Sequence, residues 1–262
     1  NIDSIVTIGA VPVLNSFMFA MGQGGKIAND LPESFIKGGR HKYQYVFEPN
    51  LKNKLTIQTT TGDFNLEELM KINPDVAFTM SMPSVDKLEK NGIPVVYLSW
   101  TDAEDVKDLL LLLGEVFGEQ EKAGRYVRYF DEATARPGKA VASLPDDQRP
   151  RVLCCSYKGM SVGHKIAEWY IEKAGGIAVA KEAHVAESLQ FDLEQLLAWD
   201  PDVLILSSHD EIPLVYNDTR LSGVSAVKNG KVYATPVGAH YWIQRTSETP
   251  LMVLWVAKTI YP

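Results

Sequence analysis

Cysteine is scarce in this chain, and the two that occur, Cys154 and Cys155, are neighbours. Adjacent side chains on a strand point to opposite faces. A disulfide between them would be strained, and two neighbouring thiols are too few ligands for a metal site. Buried thiols are the expectation. Long apolar runs are missing as well: Leu109 to Leu113 is a stretch of five, against the roughly 18 residues a membrane-spanning helix needs. Positive charge is in deficit, with 26 Lys and Arg against 33 Asp and Glu and a net charge of −7, which argues against a nucleic-acid partner. No phosphate loop ending in Gly-Lys-Ser/Thr is found. The chain opens at Asn1 without methionine, as expected of a mature or trimmed product, in which a removed signal peptide or lipid anchor would leave no trace.

What is present reads as a soluble α/β protein. Hydrophobic residues at 45% and 262 residues in all suffice for one large domain or two of about 130. Two stretches repeat one design, Ile5 to about Leu98 and Val152 to about Pro236. Each opens on a short apolar strand (IVTIGAVP; RVLCCSY), passes a helix ending in glycine, and reaches the phrase Leu-x-x-Leu-x-x-x-x-Pro-Asp-Val. The phrase spans Leu66 to Val76 in the first stretch and Leu193 to Val203 in the second. Alternating strands and helices predict a parallel sheet in each. Further strands are expected at Leu55–Thr59, Val76–Thr79, Val95–Leu98, Val203–Leu206 and Val232–Ala234. Asn15 or Ser16 is expected to cap the first helix. Glu119 to about Leu144 reads as one long helix of roughly 25 residues, about 38 Å, with Pro137-Gly138 expected to kink or interrupt it. Thr246 or Ser247 opens a closing helix, Pro250–Ile260. The expected division is residues 1–102 as a first lobe, 103–150 as a helical spacer including the interlobe helix, and 151–262 as a second lobe. Two lobes on a rigid spacer make a clamp, so the cleft between them is where a ligand is expected.

These phrases resemble those of the ABC-importer substrate-binding proteins that carry ferric siderophores, haem, cobalamin and related metal complexes. The resemblance rests on Gly9-Ala-Val-Pro12 with Asn15 and Ser16, the two Pro-Asp-Val phrases and Gly175-Gly176. It continues through Ala226-Val-Lys-Asn-Gly230-Lys-Val-Tyr233 and the ending from Trp242 through Arg245, Glu248 and Leu251 to Pro262. It covers almost the whole chain. It implies two Rossmann-like three-layer lobes joined by a single long helix. It also implies a binding protein without turnover, monomeric and without an intrinsic cofactor, working in the periplasm or as an extracellular membrane-anchored lipoprotein. Such a protein delivers cargo to an ABC permease and its ATPase. In the family, one acid on the outer face of each lobe docks the permease; by position these are Asp86 and Glu194, with Glu89 and Glu187 as neighbours.

Ligands of parallel sheets bind beyond the carboxyl ends of the strands. The last such loop gathers His240, Tyr241, Trp242 and Arg245; aromatic rings give rigid contact area and a guanidinium grips an oxyanion or carboxylate. The bland alternative packs Tyr241 and Trp242 in the core and pairs Arg245 with Glu248. Arg40 and His41, after Gly38-Gly39, could supply positive charge or form a solvated turn. Tyr157 and Lys158 follow the first strand of the second stretch directly, and Asn15 and Trp100 complete the ligand-facing set. Among the five histidines, His240 is the one backed as a ligand contact, and no bare-metal pattern is present. Gly22-Gln-Gly24-Gly25 follows a helix and marks its end. The favoured cargo is an anionic metal complex such as a ferric siderophore-like chelate. Alternatives are a small oxyanion (molybdate or tungstate) or haem in the same cleft, and, in another class, a chelatase-like enzyme recruiting His240 or His184.

Overall fold

The computed structural model describes residues 2–39, 41–60 and 63–262. Its packing falls into two compact units. The first holds Asn1–Arg128, Val237–His240 and Thr246–Glu248; the second holds Tyr129–Pro236, Tyr241–Arg245 and Thr249–Pro262.

In the first unit, β1 (Ile5–Ile8), β2 (Val76–Thr79) and β3 (Val95–Tyr97) form a parallel sheet in that order. Every residue of β1 and β2 is buried, which explains their unbroken apolar reading. Val6, Ile8, Ala77, Leu69, Leu88 and Phe64 pack together on one side of it. The expected strand at Leu55–Thr59 is reduced to one bridge, Asn29 to Leu55. Gln58 supplies the reason. Its amide accepts from Gly9 N at 3.1 Å and donates to Gly9 O at 2.9 Å, so a side chain takes the place of a backbone ladder.

The second unit contains β4 (Arg151–Cys155), β5 (Ser161–Val162), β6 (Ile177–Ala178), β7 (Leu189–Gln190), β8 (Val203–Leu206) and β9 (Val232–Ala234). Four of these form a parallel sheet in the order β6-β4-β8-β9, and β5 pairs with β7 antiparallel. Two separate parallel sheets, one per unit, match the expected α/β class.

The repeated phrase has a physical explanation. Asn65 caps the helix Leu66–Ile72 by accepting from Glu67 N and Glu68 N, and Asp192 caps Leu193–Trp199 by accepting from Gln195 N. Leu69 and Leu196 are fully buried. Asn73 and Asp200 end the two helices in the left-handed conformation, at φ 50° and 37°. The aspartate of each Pro-Asp-Val then ties down the start of the neighbouring strand. Asp75 accepts from Asp3 N and Ser4 N, and Asp202 from Arg151 N. The phrase is therefore a cap, a stop and a strand anchor, not a ligand motif.

Two expectations about helices are corrected. The first helix is Val11–Ala20, starting four residues before Asn15, because Gly9 at φ 103° turns the chain out of β1 and Pro12 fits the first turn. Asn15 and Ser16 lie inside it. The long helix Gln120–Ala140 runs 21 residues without a break through Pro137 and Gly138. Pro137 lies in the final turns, so its missing N–H removes one bond shortly before the helix would stop. The division between the units falls inside this helix, between Arg128 and Tyr129. The closing helix is Thr249–Ile260.

Candidate functional site

In the first unit, a buried amide ties together the segments that follow β1 and β9. Gln44 donates to Pro12 O at 2.9 Å and to Ala239 O at 2.5 Å, and accepts from Asn15 Nδ2 at 3.0 Å. Asn15 also accepts from Thr7 Oγ1 at 2.8 Å and is fully buried. It is therefore a strut beneath the site and not the ligand contact expected of it. Glu248 holds the loop ahead of it by accepting from Ala239 N and His240 N, both at 3.1 Å. A Cβ on Gly238 would lie 1.8 Å from Glu248 Oε1, so a side chain there would push the carboxylate out of these bonds.

That scaffold presents two histidines. The rings of His41 and His240 stack with centroids 5.0 Å apart and planes 26° apart, and are 3% and 8% exposed. Phe35 meets His41 edge-on at 5.7 Å. Among the described residues no group of three His, Cys, Asp or Glu side chains converges as metal ligands. The pair therefore offers imidazole donors and not a bare-metal cage. Trp100 is half-buried with its ring edge-on to Phe17 at 5.3 Å. Arg40 lies outside the described residues.

In the second unit, mutual backbone bonds between Ser156 and Ser161 close the loop that carries Tyr157, Lys158 and Met160, the last at φ 43°. Glu211, itself buried, accepts from Ser156 Oγ at 2.8 Å and Tyr157 N at 2.9 Å. The Tyr157 hydroxyl donates to Asp218. Burial, then the Asp218 carboxylate, push that phenol up to about 12, while bonds from Arg220 and Tyr157 hold Asp218 well below the carboxylate range. Tyr157, Met160, Leu214 and Arg220 line a concavity of about 650 Å³. Lys158, expected among the ligand-facing residues, is exposed and ion-paired with Asp210.

Arg245 donates from Nη2 to Glu187 Oε1 at 2.7 Å, a partner far along the chain from the Glu248 of the bland reading. His164 Nδ1 lies 3.0 Å from the same oxygen. Burial pushes the Glu187 carboxyl up, but the bonds from Arg245 and His164 outweigh it and leave it below its usual value. Buried Tyr170 donates to Gln244 O at 2.8 Å and fixes the Tyr241–Arg245 turn. Tyr241 and Trp242 are half-buried, and the indole Nε1 of Trp242 is buried with no hydrogen-bond partner among the described residues. His209 is exposed. His184 is buried against Glu168, which gives it a structural partner and not a role on a bound macrocycle.

Asp86, on the helix Met82–Glu89, is exposed, as are Glu89 and Glu194, the last in the first turn of Leu193–Trp199. Sequence reasoning missed Gln44, Glu211 and Arg220, and took Glu187 only for a surface acid. None sits in a motif; Gln44, Glu211 and Glu187 gain their roles from partners distant in the chain, whereas Arg220 pairs with Asp218 two residues away.

A profile of the periplasmic binding protein family matches residues 41–237. The chain belongs to that family. The molybdate-binding protein MolA of Haemophilus influenzae is 25% identical over 241 residues, which cover 82% of this chain and 68% of MolA. The structure of MolA bound to molybdate superposes with a TM-score of 0.81 at 22% identity, covering 100% of this chain and 88% of that one. A periplasmic solute-binding protein from Veillonella parvula superposes with a TM-score of 0.83 at 27% identity, covering 100% and 82%. The iron(3+)-hydroxamate-binding protein YxeB of Bacillus subtilis is 29% identical over 99 residues, 37% of this chain and 30% of YxeB. Periplasmic binding proteins capture solutes for ABC importers outside the cytoplasm. No helix among the described residues is long and apolar enough to cross a membrane.

Proposed function

We propose that this periplasmic binding protein captures a compact oxyanion, with molybdate as its test cargo, and passes it to an ABC permease. The observation that carries the reading is the stacked, nearly buried pair His41 and His240. Two imidazoles held side by side can donate to the oxygens of a tetrahedral anion, and burial strengthens such charge-assisted bonds. Within the second unit, Arg245 is a forked donor whose chemistry suits an oxyanion as well. The likeness to MolA over most of both chains supports the same cargo class. Tyr241 and Trp242, on the same turn as Arg245, serve as walls beside it in this reading.

A second reading keeps the anionic ferric chelate. It draws on the likeness to YxeB and on the broad concavity beside Tyr157 and Arg220, roomier than an oxyanion needs. Calorimetric titration with molybdate, and separately with a ferric trihydroxamate, distinguishes the two. Each of His41→Ala and His240→Ala is expected to weaken molybdate binding at least about tenfold, the scale of one lost charge-assisted bond. Saturable binding of the chelate, with no heat from molybdate, would replace the first reading with the second. A Soret band in protein as purified would favour haem over both.

A further inference from the structure

We propose that Glu187 is an internal stand-in for the cargo, a carboxylate that occupies the Nη2 donor of Arg245 and must be displaced before an anion can use it. The inference rests on Arg245 being a cargo contact. A guanidinium nitrogen and an imidazole nitrogen converge on the single oxygen Oε1 of Glu187, Arg245 Nη2 at 2.7 Å and His164 Nδ1 at 3.0 Å. This is how an oxyanion's oxygen would be held.

The two partners are unequally fixed. The Arg245 side chain is 16% exposed and the Glu187 side chain 54%, so the carboxylate can turn into water while the cation stays. The main chain on both sides is anchored. Tyr170 pins the turn before Arg245 through Gln244 O. His184 Nε2 lies 3.2 Å from Glu187 O, and its Nδ1 lies 2.7 Å from Glu168 Oε1. A backbone carbonyl only accepts, so Nε2 carries the hydrogen and the ring orientation is set. Side chains of His184 and Glu168 are 1% and 10% exposed, which makes this anchor rigid. Only the Glu187 side chain has to move.

A resident carboxylate has a consequence for affinity. It reduces the fraction of molecules in which the Arg245 donor is open, so Glu187 lowers affinity for every cargo that uses that donor by the same factor.

The test is calorimetry with molybdate and with nitrate on the full chain and on Glu187→Gln, Glu187→Ala and Arg245→Ala, with thermal midpoints recorded to confirm folding. The expected result is about fivefold tighter molybdate binding by both Glu187 variants, the scale of an exposed ion pair, with nitrate gaining by the same factor and Arg245→Ala losing molybdate. If Arg245→Ala loses molybdate but the Glu187 variants bind it no better than the original chain, Glu187 only positions Arg245 and the stand-in role is overturned. If Arg245→Ala binds as the original chain does, the cargo contact falls and the stand-in role with it. If the original chain binds no molybdate, binding gained by Glu187→Ala supports the proposal and continued silence overturns it.

Discussion

At the scale of single residues, the most consequential group is the Glu187 carboxylate. Its folded value lies below the ordinary 4.5 because the bonds from Arg245 and His164 outweigh burial. A depressed carboxyl contributes stability that is complete above about pH 4.5 and is lost as pH falls through the lower folded value. Thermal midpoints measured downward from pH 6 should therefore show an acid limb that flattens in Glu187→Gln. An unchanged limb would mean the ion pair contributes nothing in solution. His240 was legible in the sequence because it sits in a crowded loop after the last strand. Its stacking partner was legible only as part of a basic turn. The Arg245–Glu187 contact was not, since its residues lie 58 positions apart and nothing local marks one acid among many. Asn15 misled for the opposite reason. An asparagine just after a glycine turn looks like a cap or a contact, whereas burial beside Thr7 and Gln44 makes it a strut.

At the scale of elements, the repeated phrase was readable because caps and stops depend on neighbours within a few residues. Strand Leu55–Thr59 was misread because Gln58 reaches across to Gly9, a substitution of side chain for backbone that period-two patterns do not reveal. The long helix tolerates more than Pro137-Gly138 suggested. A Cβ at Gly138 would meet only Lys173 O at 3.6 Å, so Gly138→Ala should stabilise by about 0.5–1 kcal/mol through reduced unfolded-state freedom. Gly114 is the contrast. In the helix Asp105–Phe117 a Cβ there would come within 2.6 Å of the Ala123 Cβ, so Gly114→Ala should cost about 1–3 kcal/mol by overpacking. Urea melts of the two variants should move in opposite directions. A shared direction would refute the packing argument.

At the scale of the whole molecule, the family assignment brings a permease into view, and a permease needs something to recognise. Asp86 and Glu194 remain the proposed docking acids, each exposed on a helix of its own unit. Asp86→Ala and Glu194→Ala should leave the molybdate affinity of the purified protein unchanged while lowering uptake into cells, since surface charge governs encounter more than ligand grip. Normal uptake by the double variant would move the docking surface elsewhere. The bilobal plan could be inferred from sequence because two units repeat one grammar. The assignment of residues 241–245 to one unit and their flanks to the other could not, because it arises from packing alone.

Cys154 and Cys155 lie side by side on β4 with their thiols sealed in, and burial pushes both well above the usual thiol range. In the native protein both should stay inert toward iodoacetamide, because neither the reagent nor the thiolate is present where they would have to meet. Any alkylation then times the opening of the second sheet, and a cargo that slows this internal stopwatch has been bound, whatever its colour or heat.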